Sequence, residues 1–176
     1  MDKPLLSIRD LAVDFETETG RFRAVDGLSF DIPKGKTVAL VGESGSGKSV
    51  TAQAILQILP KKAHIAGGSI LFDDPARDMP LDIAGLDPTD SEMRELRGGR
   101  ISMIFQEPMT SLSPLHTIGD QISEAFVIHA KVSQAEALER TKDVLARVGF
   151  PDPRRALRTY PFELSGGLRQ RAIIAM

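Results

Sequence analysis

The first third of the chain alternates apolar and polar residues, which is the pattern of strands with one buried face. The segment 28–32 alternates in this way, and so does the segment 6–8. The alternation then shifts by one position and continues through 11–15. The polar stretch 16–20 follows, and it predicts a hairpin loop between two antiparallel strands.

Continuous apolar runs mark the middle of the chain. Residues 38–41 form such a run, which is typical of a strand buried on both faces, and residues 101–105 predict another strand. A helical pattern covers 52–59, and Pro60 is predicted to end it. Residues 73–95 contain eight acidic residues against two arginines, so we expect a solvated surface excursion there.

Helical spacing dominates the second half of the chain. Apolar residues between 118 and 126 share one face of a predicted helix. A second helix is predicted to begin at Ser133, which forms a Ser-x-x-Glu capping box with Glu136. Gly149 followed by Pro151 predicts the end of that helix.

Composition narrows the class of protein. The 176 residues are 41% hydrophobic and 26% charged, as expected of one soluble globular domain. The net charge of −2 argues against a general nucleic-acid binder. Cysteine is absent, which excludes disulfides, zinc–thiolate sites and thiol nucleophiles in this stretch. No apolar run approaches the roughly 18–20 residues of a membrane helix, and no signal peptide is recognisable, so we expect a cytosolic protein.

A glycine-rich segment between the predicted strand 38–41 and the helix 52–59 matches G-x-x-x-x-G-K-[ST] in full. Glycines let backbone amides converge on an anion at a helix N-terminus. We expect Lys48 to place its charge at the β- and γ-phosphates of ATP, and Ser49 to ligate Mg²⁺. The residues assigned to nucleotide binding are Gly42, Glu43, Ser44, Gly45, Ser46, Gly47, Lys48, Ser49 and Val50.

A second motif, LSGGLRQR, lies at residues 164–171. Ser165 stands where a helix N-cap belongs, ahead of an apolar helical run, so its hydroxyl and the free amides face outward. The motif resembles the LSGGQ signature of ABC ATPases, with Leu168 in place of the widespread glutamine. By the order of its two motifs, the chain is identified as a member of the ABC ATPases. The resemblance implies that Ser165, Gly166 and Gly167 contact the γ-phosphate held by a second ATPase subunit, or by a fused second half, in a head-to-tail dimer.

The resemblance adds two further site residues. Gln106 follows the predicted strand 101–105 and resembles the Q-loop glutamine, which ligates Mg²⁺ and reports the nucleotide state to the membrane partner. With Lys48, Gln106 is expected to serve catalysis. ABC proteins also stack adenine on an aromatic residue at the end of the first strand, where Phe15 lies. Phe22, across the predicted hairpin, is the alternative, and either residue could instead belong to the core.

The same resemblance implies an α/β fold: a P-loop NTPase (RecA-like) core with an N-terminal antiparallel β layer and a helical subdomain. Residues 1–106 would then hold the β layer and the P-loop part of the core. Residues 107–164 would form the helical subdomain, and 165–176 the start of the signature helix. The strand 69–72 would belong to the antiparallel layer.

Hydrolysis in this family also needs a strand that ends in Asp-Glu and a later histidine, both after the signature helix. We therefore expect the C-terminal part of the nucleotide-binding domain to be absent from these residues, and apolar sheet edges to be exposed. The histidines all precede the signature and are expected on the surface: His64, His116 and His129. Three interpretations stay open: an ATPase when intact, a fragment that binds nucleotide without hydrolysing it, and a non-transport ABC ATPase.

Several segments resemble the ATP-binding subunits of bacterial importers for peptides, nickel and glutathione. They are 23–27, 41–52, 103–113 and 160–163. The resemblance implies a peripheral protein on the cytoplasmic face of the inner membrane. Its direct partners would be transmembrane permease subunits, and a periplasmic binding protein would be an indirect partner. Nucleic acid is not an expected partner.

Overall fold

Two compact units make up the chain in the computed structural model, which describes residues 3–105 and 111–176. The first unit ends at Ile101, and the second begins at Ser102. Each unit has its own apolar core. In the part of the chain that the structure describes, every helix is too short or too polar to cross a membrane.

The first unit is built on a four-stranded antiparallel sheet in the order β2–β1–β3–β4. Its strands are β1 (Leu6–Thr17), β2 (Gly20–Ile32), β3 (Ala63–Phe72) and β4 (Leu81–Asp82). A tight turn at residues 18 and 19 joins β1 to β2, which confirms the predicted hairpin. The strand 69–72 belongs to β3 and pairs antiparallel with β1, also as expected.

The one-position shift in the alternation of β1 is a β-bulge. Ile8 pairs with Phe30, whereas Leu11 pairs with Leu28, so β1 carries one extra residue between these pairs. Asp10 lies in this interval with a φ of 47°. The bulge turns both Ile8 and Leu11 towards the core, where both side chains are fully buried.

Two helices complete the first unit. They are α1 (Lys48–Ile55) and α2 (Ser91–Leu96), and a short 3₁₀ turn lies at Ile83–Gly85. The expectation of a solvated excursion at 73–95 is wrong in part, because Ile83 and Met93 are buried in the core of the sheet. These apolar residues are too widely spaced to form a period, so the acidic composition of the segment concealed them.

Neither continuous apolar run forms a strand. Residues 38–41 adopt no regular secondary structure, and Val41 is 85% exposed. In the run 101–105, Ile101 makes an isolated bridge with Arg97, and the following residues form no strand. Both strand predictions are wrong, because a strand buried on both faces needs neighbouring strands to pair with its amides, and the described sheet offers none. Apolar side chains of both runs are exposed as a result, outside any strand of the described sheet.

The second unit is helical. Its helices are α3 (Ile118–Ala130), α4 (Gln134–Arg147), α5 (Pro153–Ala156) and α6 (Gly166–Ala175), with a 3₁₀ turn at Pro161–Glu163. Ile118, Ile122 and Leu145 are fully buried in its core, which confirms the predicted helix faces. The N-cap of α4 is confirmed too, because the Glu136 amide donates to Ser133 Oγ at 3.3 Å.

Candidate functional site

The glycine-rich segment closes into a loop at the N-terminus of α1. Gly47 is the N-cap, with φ of 89°, and among the described residues no side chain caps this helix. The Ser46 amide donates to the Glu43 carbonyl at 3.3 Å, and Gly45 has a φ of 81°. Uncapped amides at a helix N-terminus carry the positive end of the helix dipole, so this loop offers an anion site.

Lys48 places its ammonium group against the oxygens of the same loop. Its Nζ donates to the carbonyls of Gly42 at 2.8 Å and Glu43 at 2.6 Å, and to Ser46 Oγ at 3.1 Å. These contacts fix a positive charge beside the uncapped helix end. The lysine charge and the uncapped helix end together suit a polyphosphate, because both attract negatively charged groups.

Two glycines of the loop lie close to other atoms of the first unit. An added Cβ at Gly42 would lie 2.7 Å from Ser46 Oγ. An added Cβ at Gly47 would lie 2.6 Å from the Ala24 carbonyl oxygen on β2. The second contact is with backbone, which cannot rotate away, so glycine is needed there for space as well as for its positive φ.

The first turn of α1 has side chains suited to a magnesium ion on a phosphate. Ser49 is exposed there, whereas Val50 packs half-buried against the core. Glu43 and Ser44 are exposed in the loop. Within 3–105 and 111–176, no cluster of three or more His, Asp or Glu side chains could hold a metal ion. The residues present fit Mg²⁺, which takes one or two protein ligands plus substrate phosphates. Gln106, the second predicted ligand, lies outside the described residues.

The two candidate adenine-stacking residues face each other. Phe15 on β1 and Phe22 on β2 are direct cross-strand partners. Phe15 is partly buried against the core, whereas Phe22 is 60% exposed. Stacking needs an open ring face, and Phe22 offers more of one. The assignment of adenine stacking to Phe15 stays a prediction.

In the second unit, Ser165 is the N-cap of α6. Its Oγ accepts a hydrogen bond from the Leu168 amide at 3.4 Å, as the sequence predicted. Within the described chain, an added Cβ at Gly166 or Gly167 would meet no atom within 4 Å. Leu168 packs half-buried against the core of the unit. The serine and both glycines therefore stand on an open helix end.

The segment 160–163, which precedes this cap, is held by hydrogen bonds and by an aromatic stack. The Arg169 guanidinium donates to the carbonyl of Pro161 at 2.7 Å and to that of Phe162 at 3.4 Å. The rings of Tyr160 and Phe162 stack with their centroids 5.5 Å apart. The Tyr160 amide donates to Glu163 at 2.7 Å. These contacts fix the direction from which the chain enters α6.

The histidines lie on the surface, as expected, and His116 shares a hydrogen bond of 2.9 Å with Ser113 Oγ. A cleft of about 620 Å³ opens near the start of α3. Its lining is Ser111, Ser113, His116, Asp120, Gln121, Glu124, Val127, Gln134 and Met176. None of these is a residue that the sequence assigned to nucleotide binding.

Sequence reasoning missed an ion pair between β1 and β2, in which the carboxylate is buried and the guanidinium is half exposed. Asp14 on β1 is fully buried, and Arg23 on β2 donates to both of its carboxylate oxygens, at 2.8 and 3.3 Å. Hydrogen bonding from Arg23 holds the pKa of Asp14 below its usual value. The pairing of β1 with β2 could have revealed this contact, because Asp14 and Arg23 are cross-strand neighbours.

A lysine held in a glycine-rich loop before an uncapped helix is the phosphate-binding arrangement of a P-loop. The family model described as ABC transporter matches residues 25–176. This chain therefore belongs to the ABC transporter family.

Its curated relatives are ATP-binding proteins of transporters. The chain is 50% identical over 98% of its length to a probable peptide ABC transporter ATP-binding protein of Sinorhizobium fredii, of which it covers 49%. It is 48% identical over 98% of its length to the dipeptide transport ATP-binding protein DppD of Bacillus subtilis, again covering 49%. It is 51% identical over 99% of its length to the peptidoglycan transport ATP-binding protein YejF of Agrobacterium fabrum, covering 31%. The chain spans half or less of the length of these relatives.

Solved structures confirm the fold class. A dimeric bacterial ABC transporter cassette matches 97% of this chain and 67% of its own, with a TM-score of 0.80 and 23% identity. The same cassette, bound to ADP and phosphate after hydrolysis, matches equally well. The protein cbiO1 of Clostridium perfringens, part of the cbiONQ transporter complex, matches 99% of this chain and 61% of its own, with a TM-score of 0.69 and 25% identity.

Proposed function

We propose that this chain binds Mg-ATP through residues 42–50 and belongs to the ATP-binding subunit of a bacterial ABC importer for peptides. The observation that carries the proposal is the geometry of the loop. The uncapped N-terminus of α1 and the Lys48 ammonium group both place positive charge at the same loop. The names of the relatives, which include peptide and dipeptide transport proteins, support the peptide class of substrate.

Each residue of the loop has a proposed task. The amides of the first turn of α1 bind the phosphate oxygens, and Lys48 holds the β- and γ-phosphates in position. Ser49 and Gln106 are the proposed ligands of Mg²⁺, which when bound neutralises charge on the phosphates. Lys48 and Gln106 are the proposed catalytic residues. Phe15 is the proposed adenine platform, with Phe22 as the competing residue.

The open helix end at Ser165 has a proposed role in a dimer. Its hydroxyl and the amides of Gly166 and Gly167 would contact the γ-phosphate in the loop of a second ATPase subunit. No described atom outside the helix backbone lies within 4 Å of a Cβ added at either glycine, which leaves room for such a ligand. Permease subunits are the proposed membrane partners, and a periplasmic binding protein is reached through them. The proposed location is the cytoplasmic face of the inner membrane.

Nucleotide binding is tested by calorimetry with Mg-ATP on the full 176-residue chain. We expect Lys48→Ala to weaken ATP binding by about tenfold or more, because hydrogen bonds to charged groups are worth about 1.5–3 kcal/mol. Lys61→Ala, an exposed lysine of the same unit, is the matched control and should bind like the unmodified chain. Equal ATP affinity in Lys48→Ala and Lys61→Ala would contradict the proposal.

Phosphate release, measured on the same samples, separates an ATPase from a protein that only binds nucleotide. If the unmodified chain releases phosphate steadily and the Lys48→Ala variant does not, hydrolysis is assigned to this chain. Binding without release would leave the chain as a nucleotide-binding module. Transport of labelled dipeptides in cells that lack and then regain the gene tests the substrate class.

A further inference from the structure

The ion pair between the buried Asp14 and the half-exposed Arg23 lies where β1 and β2 are out of register. Val13 pairs with Val25, and the next residue, Asp14, pairs with Arg23. One residue of β2, Ala24, is therefore left without a partner on β1 in the described sheet. Such a bulge bends the strand and redirects the backbone groups of the extra residue.

The redirected backbone of Ala24 faces the phosphate-binding loop. Its carbonyl oxygen lies 2.6 Å from the position that a Cβ on Gly47 would occupy, and Val25 Cγ2 lies 3.2 Å from it. Gly47 is the N-cap of α1. The position of the bulge thus limits where the first turn of α1, and with it the anion-binding amides, can lie.

The ion pair holds β2 to β1 at Arg23, the residue directly before the bulge at Ala24. The two hydrogen bonds of 2.8 and 3.3 Å from the guanidinium to the Asp14 carboxylate form a two-point contact, which sets direction as well as distance. Arg21 adds a weaker contact to Asp14 at 3.7 Å, and Arg23 also reaches Asp26 at 3.1 Å. The Arg23 side chain is 48% exposed, whereas the Asp14 carboxylate is fully buried, so Asp14 depends on Arg23 for its hydrogen bonds.

We propose that Arg23, held by Asp14, is a positioning residue for the phosphate-binding loop: it fixes the bulge at Ala24 against Gly47 and thereby orients the first turn of α1. The inference rests on the proposed nucleotide binding for its functional consequence. The contact between the bulge and the loop does not depend on that function, and it is measurable without nucleotide.

The test compares Arg23→Lys with Arg9→Lys in the full chain. Arg9 is the matched control because it also joins β1 to β2, through Asp31 at 2.7 Å, but its carboxylate partner is exposed: Arg9 is 46% exposed and Asp31 is 43% exposed. Lysine keeps the charge beside each carboxylate but cannot form the two-point contact. The readouts are amide chemical shifts of residues 45–49 without nucleotide, ATP affinity by calorimetry, and circular dichroism to establish folding.

We expect Arg23→Lys to shift the amides of Gly47 and Lys48 and to weaken ATP binding about threefold to thirtyfold. Arg9→Lys should leave both the shifts and the affinity unchanged. Asp14→Asn, which keeps the shape of the side chain, should act like Arg23→Lys and serves as the second variant if Arg23→Lys does not fold.

If the amide chemical shifts of residues 45–49 in Arg23→Lys and Asp14→Asn equal those of the unmodified chain, the positioning role is overturned. Shifted amides with ATP affinity within about twofold of the unmodified chain would overturn its functional consequence. If the unmodified chain fails to bind ATP, the proposed function fails, and the nucleotide-free amide shifts still decide whether Arg23 positions the loop.

Discussion

Glycine serves the loop before α1 and the helix end at α6 in different ways. In the loop, a side chain at Gly47 would collide with the backbone of β2, 2.6 Å away, and would have to adopt a φ of 89°. At α6, a side chain on Gly166 or Gly167 would meet no described atom within 4 Å. The fold of this chain therefore requires the first glycine but not the other two. A requirement for glycine at α6 has to come from a molecule that approaches it, as the proposed dimer supplies.

The largest expected difference between the two units is in their stability towards acid. In the first unit, hydrogen bonds from neighbouring groups lower the pKa of four carboxyls below the ordinary value: Asp14, Asp31, Asp73 and Asp87. In the described part of the second unit, a hydrogen bond from Lys142 lowers the pKa of Glu139. A carboxyl with a lowered folded pKa stabilises the fold above its unfolded pKa, about 3.9 for Asp, and this stability is lost as pH falls through the folded pKa.

We therefore expect the first unit to lose its structure below about pH 4, before the second unit does. Amide spectra recorded during an acid titration measure this, with the amide of Leu11 reporting on the first core and that of Leu145 on the second. If both amide signals are lost together, or if the Leu145 signal is lost first, the expected order of acid unfolding is wrong.

Gly47→Ala should have the next largest effect. A residue other than glycine held at positive φ costs about 1–3 kcal/mol, and the collision with Ala24 adds to that. Urea unfolding measures the loss of stability. Gly35→Ala is the control, because Gly35 also has a positive φ, of 66°, but an added Cβ there meets no described atom within 4 Å. Equal losses in the two variants would show that the contact with β2 is unimportant.

Ser165→Ala should remove the N-cap of α6 and lower the free energy of unfolding by about 0.5–2 kcal/mol. Ser133→Ala, which removes the N-cap of α4, should have a similar effect on stability. The two differ in function if the proposed dimer is correct: Ser165→Ala alone should weaken ATP-dependent self-association. Light scattering with and without ATP measures this, and equal association in both variants would speak against a role for Ser165 between subunits.

Gly167→Ala should have the smallest effect on stability, and of opposite sign. Alanine is favoured over glycine inside a helix by about 0.5–1 kcal/mol, and there is space for its methyl group. We expect a slightly raised free energy of unfolding in urea together with weaker ATP-dependent association. A loss of stability would mean that Gly167 is constrained by its own chain after all.

Local patterns predicted most of the elements that local forces determine. The alternation in β1 and β2, including the shift that proved to be a bulge at Asp10, follows from burial of one face of a sheet. The caps at Ser133 and Ser165 follow from the need of helix-end amides for acceptors. Each of these depends on residues close together in the sequence.

The failures concern partners distant in sequence. Residues 38–41 have the composition of a buried strand, yet burial depends on neighbouring strands that the run itself cannot specify. The burial of Ile83 and Met93 depends on a sheet formed elsewhere in the unit. At the site, the loop was predictable from its motif, whereas the contact between Gly47 and Ala24 requires knowledge of how β2 bulges.

The aromatic stack ahead of α6 has a practical consequence. The chain contains no tryptophan and a single tyrosine, Tyr160, whose ring lies 5.5 Å from that of Phe162. Tyrosine emission from this chain therefore originates at one residue, five positions before Ser165. The unlabelled protein thus carries its own optical reporter for events near the helix end at Ser165.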